Sequence, residues 1–311
     1  MTKKLNLKKF FTEANTYIIF IVLFIVCALL SESFLLPINL INILLQQTAP
    51  ILVAIGMLYV ILAGGIDLSV GSVMAISASV TCVVMKNTGL GLAGGLAIAV
   101  ALGIICGLIT GFLVAYCHMQ AFVASLSMMI VIRGFAYIVT NGSPVKVQGD
   151  VLSNMVKRTN GYPVIIIMFL LVILFWFIQK YTTYGRIIIA TGSNRTAVKL
   201  AGIRVKRYMV SSYIVSGVLA ALAGLFFAAR TSTGSASVGE GQEAQAIAAC
   251  VLGGTSLSGG RGSVVKTFVG AFILALIGNI MNLKGVGAYT QDIAQGILII
   301  AAVLLQGSKK D

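Results

Sequence analysis

Runs of about twenty apolar residues recur along the whole of this 311-residue chain. Each is long enough to carry a helix across the ~30 Å hydrocarbon core of a bilayer. Lipid offers the backbone no hydrogen-bond partners, so apolar runs of this length cross it as helices. They fall at 17–36, 46–64, 69–86, 91–117, 121–140, 163–180, 209–230, 245–257, 265–283 and 289–306. The expectation is an all-α polytopic membrane protein with about ten transmembrane helices in one domain, 1–311. The eighth run is short for a bilayer and predicts a half-helix or a tilted segment. Composition agrees, with 59% hydrophobic residues, 10% charged and a mean hydropathy of +1.03. A soluble domain carries about 25% charged residues.

The formal charge of +14 has a topological reading. With both termini cytoplasmic, fifteen basic residues lie inside, among them Lys3, Lys4, Lys8, Lys9, Arg261, Lys266, Lys309 and Lys310, and six lie outside. That asymmetry follows the positive-inside rule. Seven of the fifteen fall in Lys180–Arg207, which holds no Asp or Glu. This polar, glycine-marked stretch between two apolar runs predicts a cytoplasmic platform for a soluble partner, with 181–208 as the loop and 1–16 as a cytoplasmic N-terminal segment. The external loops are 141–162 and 231–244, the latter with Glu240 and Glu243 and no basic residue. Nucleic acid is excluded as a partner, because the basic residues sit on short loops with few aromatics among them. The first thirty residues imitate a secretory signal but show no small-x-small cleavage site, which predicts an uncleaved first helix.

Two glycine breaks resemble each other. Gly64–Gly71 (GGIDLSVG) and Gly253–Gly260 (GGTSLSGG) share G-G-x-x-L-S-x-G, and each follows an outside-to-inside run. Paired glycine interruptions in the two halves of a transporter point to its pathway; two ordinary turns that share glycine are the plainer alternative. Asp67 is an acid near a span interior, which marks function by default, and it also precedes a helix that it can cap. Arg133, within 121–140, must face protein or a polar cavity, as an anchor to a neighbouring carbonyl or as a solute contact. Gly103, Gly107 and Gly111 form one small-residue helix face, a packing signal.

Catalytic constellations do not assemble. Gly259–Thr267 (GGRGSVVKT) evokes a phosphate-binding loop, but Val265 stands where that motif needs glycine before its lysine. Cys27, Cys82, Cys106, Cys117 and Cys250 are scattered singly, without metal-ligand or disulfide spacing. Intramembrane acids are few for a proton pump. The expectation is a non-catalytic conduit, without metal or cofactor, that borrows its energy.

Gly64–Ser72, Gln120–Gly134 (QAFVASLSMMIVIRG), Thr140–Val145 (TNGSPV), Tyr184–Ile203 (YGRIIIATGSNRTAVKLAGI) and Ile247–Gly262 (IAACVLGGTSLSGGRG) resemble the permease subunits of bacterial ABC importers for monosaccharides. The resemblance runs nearly the whole chain, and TNGSPV with the overall spacing looks most like the ribose branch. It implies a homodimeric permease with a type II ABC importer-like fold in the bacterial inner membrane. It further implies an ABC ATPase with two fused nucleotide-binding domains and a periplasmic or lipid-tethered sugar-binding protein. The family's coupling segment falls here on Gly185, Arg186, Ala190, Gly192, Asn194, Ala197 and Gly202. Where the family usually has glycine before the threonine of the ninth span, this chain has Lys266, which works against close helix approach there.

A sugar is uncharged and covered with hydroxyls, so its path needs hydroxyl and amide side chains rather than a deep charged site. Gln46, Gln47, Thr48, Asp67, Ser69, Asn141, Thr255, Ser256 and Asn279 are the candidates. An ion-gradient-driven secondary sugar carrier is the alternative; it would move solute without a partner.

Overall fold

The computed structural model describes residues 7–147, 152, 154, 156 and 159–307, and side chains within 15–301 of that set. Lys3, Lys4, Lys157, Arg158, Lys309, Lys310 and much of 141–162 lie outside the described residues. In chain order the helices are α1 Leu7–Leu30, α2 Pro37–Leu62, α3 Val70–Thr88, α4 Leu92–Ala115, α5 Ala121–Thr140 and α6 Tyr162–Tyr181. They continue with α7 Thr183–Ser193, α8 Arg195–Leu200, α9 Val205–Thr231, α10 Gln242–Leu252, α11 Val264–Leu283 and α12 Ala288–Gly307. Among the described residues, seven of these (α2 to α6, α9 and α11) are long and apolar enough to cross a membrane. One departure from an all-α fold is a pair of two-residue strands, β1 Val145–Lys146 and β2 Thr233–Gly234, joined antiparallel with Val145 opposite Gly234.

Proline explains the largest shift in boundaries. Pro37 opens α2 in its first turn, where a missing N–H costs nothing, and holds Leu36 extended at φ −60°, ψ 134°. The first helix therefore ends at Leu30 rather than 36, and the second starts nine residues before the expected 46. Pro50 lies inside α2; it has no N–H to give the Gln46 carbonyl four residues back.

α2 and α9 form the buried centre. Tyr59 and Tyr213 are among the largest fully buried side chains, and Ile51 through Leu62 contribute an unbroken buried stretch. α4 lies against α9 along the expected glycine face. A Cβ on Gly103 would come within 2.6 Å of the Gly217 carbonyl oxygen, and one on Gly107 would strike the Tyr213 carbonyl. Small residues let the two backbones touch, as in membrane helix pairs generally.

α10 is eleven residues long, about 16 Å at 1.5 Å per residue, or half a hydrocarbon core. It approaches α11 closely in spite of Lys266. Gly253 and Gly270 supply the space, since a Cβ on Gly253 would sit 2.7 Å from the Lys266 carbonyl and one on Gly270 would strike the Ala249 oxygen. Lys266 is accommodated because the clearance comes from Gly253 at the end of the facing helix and from Gly270 one turn further along α11.

Candidate functional site

The segment between α6 and α9, expected as a cytoplasmic loop, holds two helices, α7 and α8. Thr182 caps α7, its Oγ1 accepting from Gly185 N–H at 3.2 Å, and Asn194 caps α8, its Oδ1 accepting from Ala197 N–H at 2.9 Å. Each cap satisfies one of the helix's orphan donors. Gly185 is buried because a side chain there would strike the Gln179 carbonyl, and Gly202 leaves α8 at φ +77°. Ala190 contributes its carbonyl to Asn194 N–H at 2.9 Å, while Arg186 is exposed, its guanidinium donating to Thr183 Oγ1 at 3.2 Å. Leu200, at the end of α8, is 84% exposed.

α7 docks on both glycine breaks at once. A Cβ on Gly192 would collide with the Leu62 carbonyl oxygen and approach the Gly260 nitrogen to 2.6 Å. Gly260 N–H donates to that same Leu62 oxygen at 3.1 Å, and Gly259 packs against the Cα atoms of Gly64 and Gly192. Arg195 closes the junction, its Nη2 donating to the Gly64 carbonyl at 3.0 Å and the Ala63 carbonyl at 3.3 Å. The two breaks thus meet each other, which their shared sequence did not predict. Their helix ends are alike but displaced by one residue. Gly64 and Gly254 are the left-handed residues, at φ +81° and +77°. In α2 the bonds run Gly64 N–H to Ile61 O and Gly65 N–H to Val60 O; in α10 they run Gly254 N–H to Val251 O and Thr255 N–H to Cys250 O. That is the Schellman pattern, which favours glycine at the left-handed position.

The expected path residues separate into two groups. Asp67 is buried and its oxygens are engaged: Oδ1 accepts from Ser69 N–H and Oγ at 3.0 and 2.6 Å, and Oδ2 from Ser216 Oγ at 2.9 Å. It makes an Asx turn rather than the expected N-cap. Ser69 holds the cap position, with no side-chain cap bond. Ser216 lies about 16 Å along α9 from Val205, so the 63–69 turn reaches well into the bundle. Thr255 is buried in the turn after α10, Ser256 N–H donates to Arg261 O at 2.9 Å, and Asn141 ends α5 in the left-handed region at φ 49°. None of these five lines the amide cavity formed by the second group.

Gln46, Gln47 and Asn279 do converge. With Gln245, Asn282, Gln291 and Gln295 they line a cavity of about 190 Å³ between α2, α10, α11 and α12. Thr48 points elsewhere, donating to Leu45 O at 2.8 Å. The amides bond across helix boundaries: Asn39 with Asn279 reciprocally at 3.1 and 2.8 Å, Gln245 Nε2 to Gln295 Oε1 at 3.0 Å, and Gln291 Nε2 to Asn282 Oδ1 at 2.8 Å. The last four cavity amides were missed in the sequence. A signal was there, since Gln291 and Gln295 stand four apart on one helical face.

Arg133 lies about 18 Å along α5 and donates from Nη1 to the Ala236 carbonyl and to the Val238 carbonyl, the latter at 2.7 Å. It is an anchor. It draws the 231–244 loop inward, where Gly239 packs on Gly71 and Ala236 and Val238 are buried. A second cavity, of about 460 Å³, joins Arg133 and Tyr137 to Glu240 and Glu243. His118, at the α4–α5 turn, lies 3.4 Å from Lys206 Nζ.

The family described as "Branched-chain amino acid transport system / permease component" matches residues 39–303. The chain belongs to that permease family. Similar relatives include a ribose import permease protein of Escherichia coli (strain K12), 38% identical over 323 aligned positions that cover 99% of each chain. One of Bacillus subtilis (strain 168) is 40% identical over 292 positions, 93% of this chain and 90% of its own. An L-arabinose transport system permease protein of E. coli (strain K12) is 36% identical, covering 94% and 90%. No solved structure matches. The chain is therefore a multi-pass inner-membrane protein and a transport component of an ABC system rather than its catalytic subunit.

Proposed function

We propose that this chain is the membrane-spanning permease of an ATP-driven importer for a ribose-like monosaccharide. The observation that carries the reading is the α7–α8 platform. It presents Leu200, an apolar side chain outside any apolar run, beside exposed Arg195, Lys199 and Arg204, and through Gly192 and Arg195 it is seated on the ends of α2 and α10. An exposed apolar knob within a polar rim is the anatomy of a protein-binding surface. Its partner is an ABC ATPase with two fused nucleotide-binding domains. The segment Gly185, Arg186, Ala190, Gly192, Asn194, Ala197 and Gly202 transmits the ATPase's motion, and a second copy of this chain completes the conduit.

The ten expected spans map onto α1 to α6 and α9 to α12, giving ten crossings with both termini cytoplasmic. The α7–α8 segment, the glycine junction and His118 against Lys206 then share the cytoplasmic side. The path passes Gln47 and Asn279, with Asp67, Ser69, Thr255 and Ser256 holding the turns beside it. Asn141 and the exposed residues Thr231, Ser237 and Glu240 form part of the outer face on which a sugar-binding protein delivers its load.

Arg186→Glu reverses one exposed charge on the platform without disturbing a buried contact. In proteoliposomes holding the permease, ATPase and binding protein, we expect ATP-driven ribose uptake to fall about tenfold, the effect of ~1.4 kcal/mol lost at a docking charge. Wild-type uptake by the variant would remove the platform from the mechanism. Uptake by the permease alone, abolished by an ionophore, would replace the importer with an ion-driven carrier.

A further inference from the structure

Resting on that reading, we propose that the amide-lined cavity between α2, α10, α11 and α12 is a solute subsite built for an uncharged polyhydroxylated molecule and against a zwitterionic amino acid. The distinction matters because the family description names amino acids while the similar relatives are named for sugars.

The lining decides between them. α2, α11 and α12 each contribute two amides and α10 contributes Gln245, whereas the remaining lining residues are alanine, glycine, leucine and proline, and none is charged. An amide offers two donors and an acceptor oxygen, so it can answer a hydroxyl in either sense. An amino acid would have to surrender the hydration of its ammonium and carboxylate with no opposite charge to replace it, which is expensive in a low-dielectric site. Arg133, Glu240 and Glu243 line a separate cavity.

The amides are more than glue between helices. Asn39 and Asn279 satisfy each other by two bonds and hold α2 to α11. Gln245 Nε2 donates to Gln295 Oε1 at 3.0 Å across α10 and α12, and Gln245 Oε1 accepts from Gln242 Nε2 at 3.0 Å, which still leaves hydrogen-bonding capacity on both amides. Pro50 on the same wall withholds an N–H from the Gln46 carbonyl, adding a backbone acceptor at this point. Ala249, Ala271, Ala275 and Gly278 keep the space open by having little or no side chain. A hydroxyl inserted between Gln245 and Gln295 replaces one hydrogen bond with two, and its departure restores the first. Such a site orders a sugar without trapping it.

The test uses the full chain in proteoliposomes, with exposed Cys117 replaced by serine and Gly278→Cys introduced at a lining position where an added Cβ meets nothing within 4 Å. A membrane-impermeant methanethiosulfonate is applied with D-ribose or with L-leucine. We expect ribose to slow labelling about fivefold, the worth of one neutral hydrogen bond, and leucine to leave it unchanged. Protection by leucine alone would overturn the charge argument. Equal labelling with and without both solutes would overturn the subsite, and so would failure of the reagent to reach position 278, because a conduit subsite is wetted. Gln295→Leu supplies the second arm, with an expected rise of about fivefold in transport KM at an unchanged Tm. A fall in Tm with KM unchanged would reduce the pair to helix packing. Labelling needs no ATPase, so its outcome stands even if the energy source has been assigned wrongly.

Discussion

Where α7 meets the ends of α2 and α10, three backbones touch through Gly64, Gly192, Gly259 and Gly260. Where α12 meets α10 and α11, the helices are joined instead by the tips of amide side chains. Backbone-to-backbone contact leaves no slack, because packed atoms respond to displacement as hard surfaces. A shift of α7 must therefore move the ends of both helices with it. Amide tips turn about several bonds and exchange partners at small cost, as a region that must admit and release a solute requires. Rigidity at one place and exchangeability at the other are what a conduit driven from one end needs.

The contrast can be broken most forcefully at Gly192. Gly192→Val drives a branched side chain into the Leu62 carbonyl, and we expect a loss of about 3 kcal/mol, the upper range for overpacking, read as a lower Tm in detergent. A folded variant with wild-type Tm would mean that the junction has slack. Asp67→Ala should cost about 2 kcal/mol by the same measurement, because the Ser216 and Ser69 hydroxyls lose a buried acceptor; retention of full stability would show that the 63–69 turn is held by other contacts. Leu200→Ser probes the platform's outer surface. It should leave Tm unaltered and weaken ATPase binding about tenfold, as expected for an apolar anchor, in a pull-down titrated against the partner. Lys206→Ala sits at the small end. Its neighbours are His118 and, by a cation–π contact at 5.1 Å, the Tyr116 ring, and an exposed contact of this kind should cost below about 0.5 kcal/mol. A larger loss would place load on the α4–α5 turn.

Much of this was legible in order along the chain. The Asn194 cap is a local feature, since capping involves a side chain and a backbone three residues away. Gly103, Gly107 and Gly111 were readable as a packing face because helical spacing alone aligns them. Asp67 was half readable: its burial near a helix start followed from position, but its partner Ser216 is 149 residues distant. Arg133 had two open readings until the loop carbonyls of Ala236 and Val238 appeared beside it. The cavity was least legible, for Gln47 and Asn279 were candidates on chemistry, while Gln245 and Gln295 were not singled out.

Hydrophobic length was sufficient, before any coordinate, to specify a helical membrane protein, and short motifs carried the family resemblance, since each depends on residues close together in the chain. The meeting of two glycine breaks under α7, and of seven amides from four helices, depends on how each helix is rotated about its own axis. That rotation is set by packing against distant partners, which no local pattern encodes.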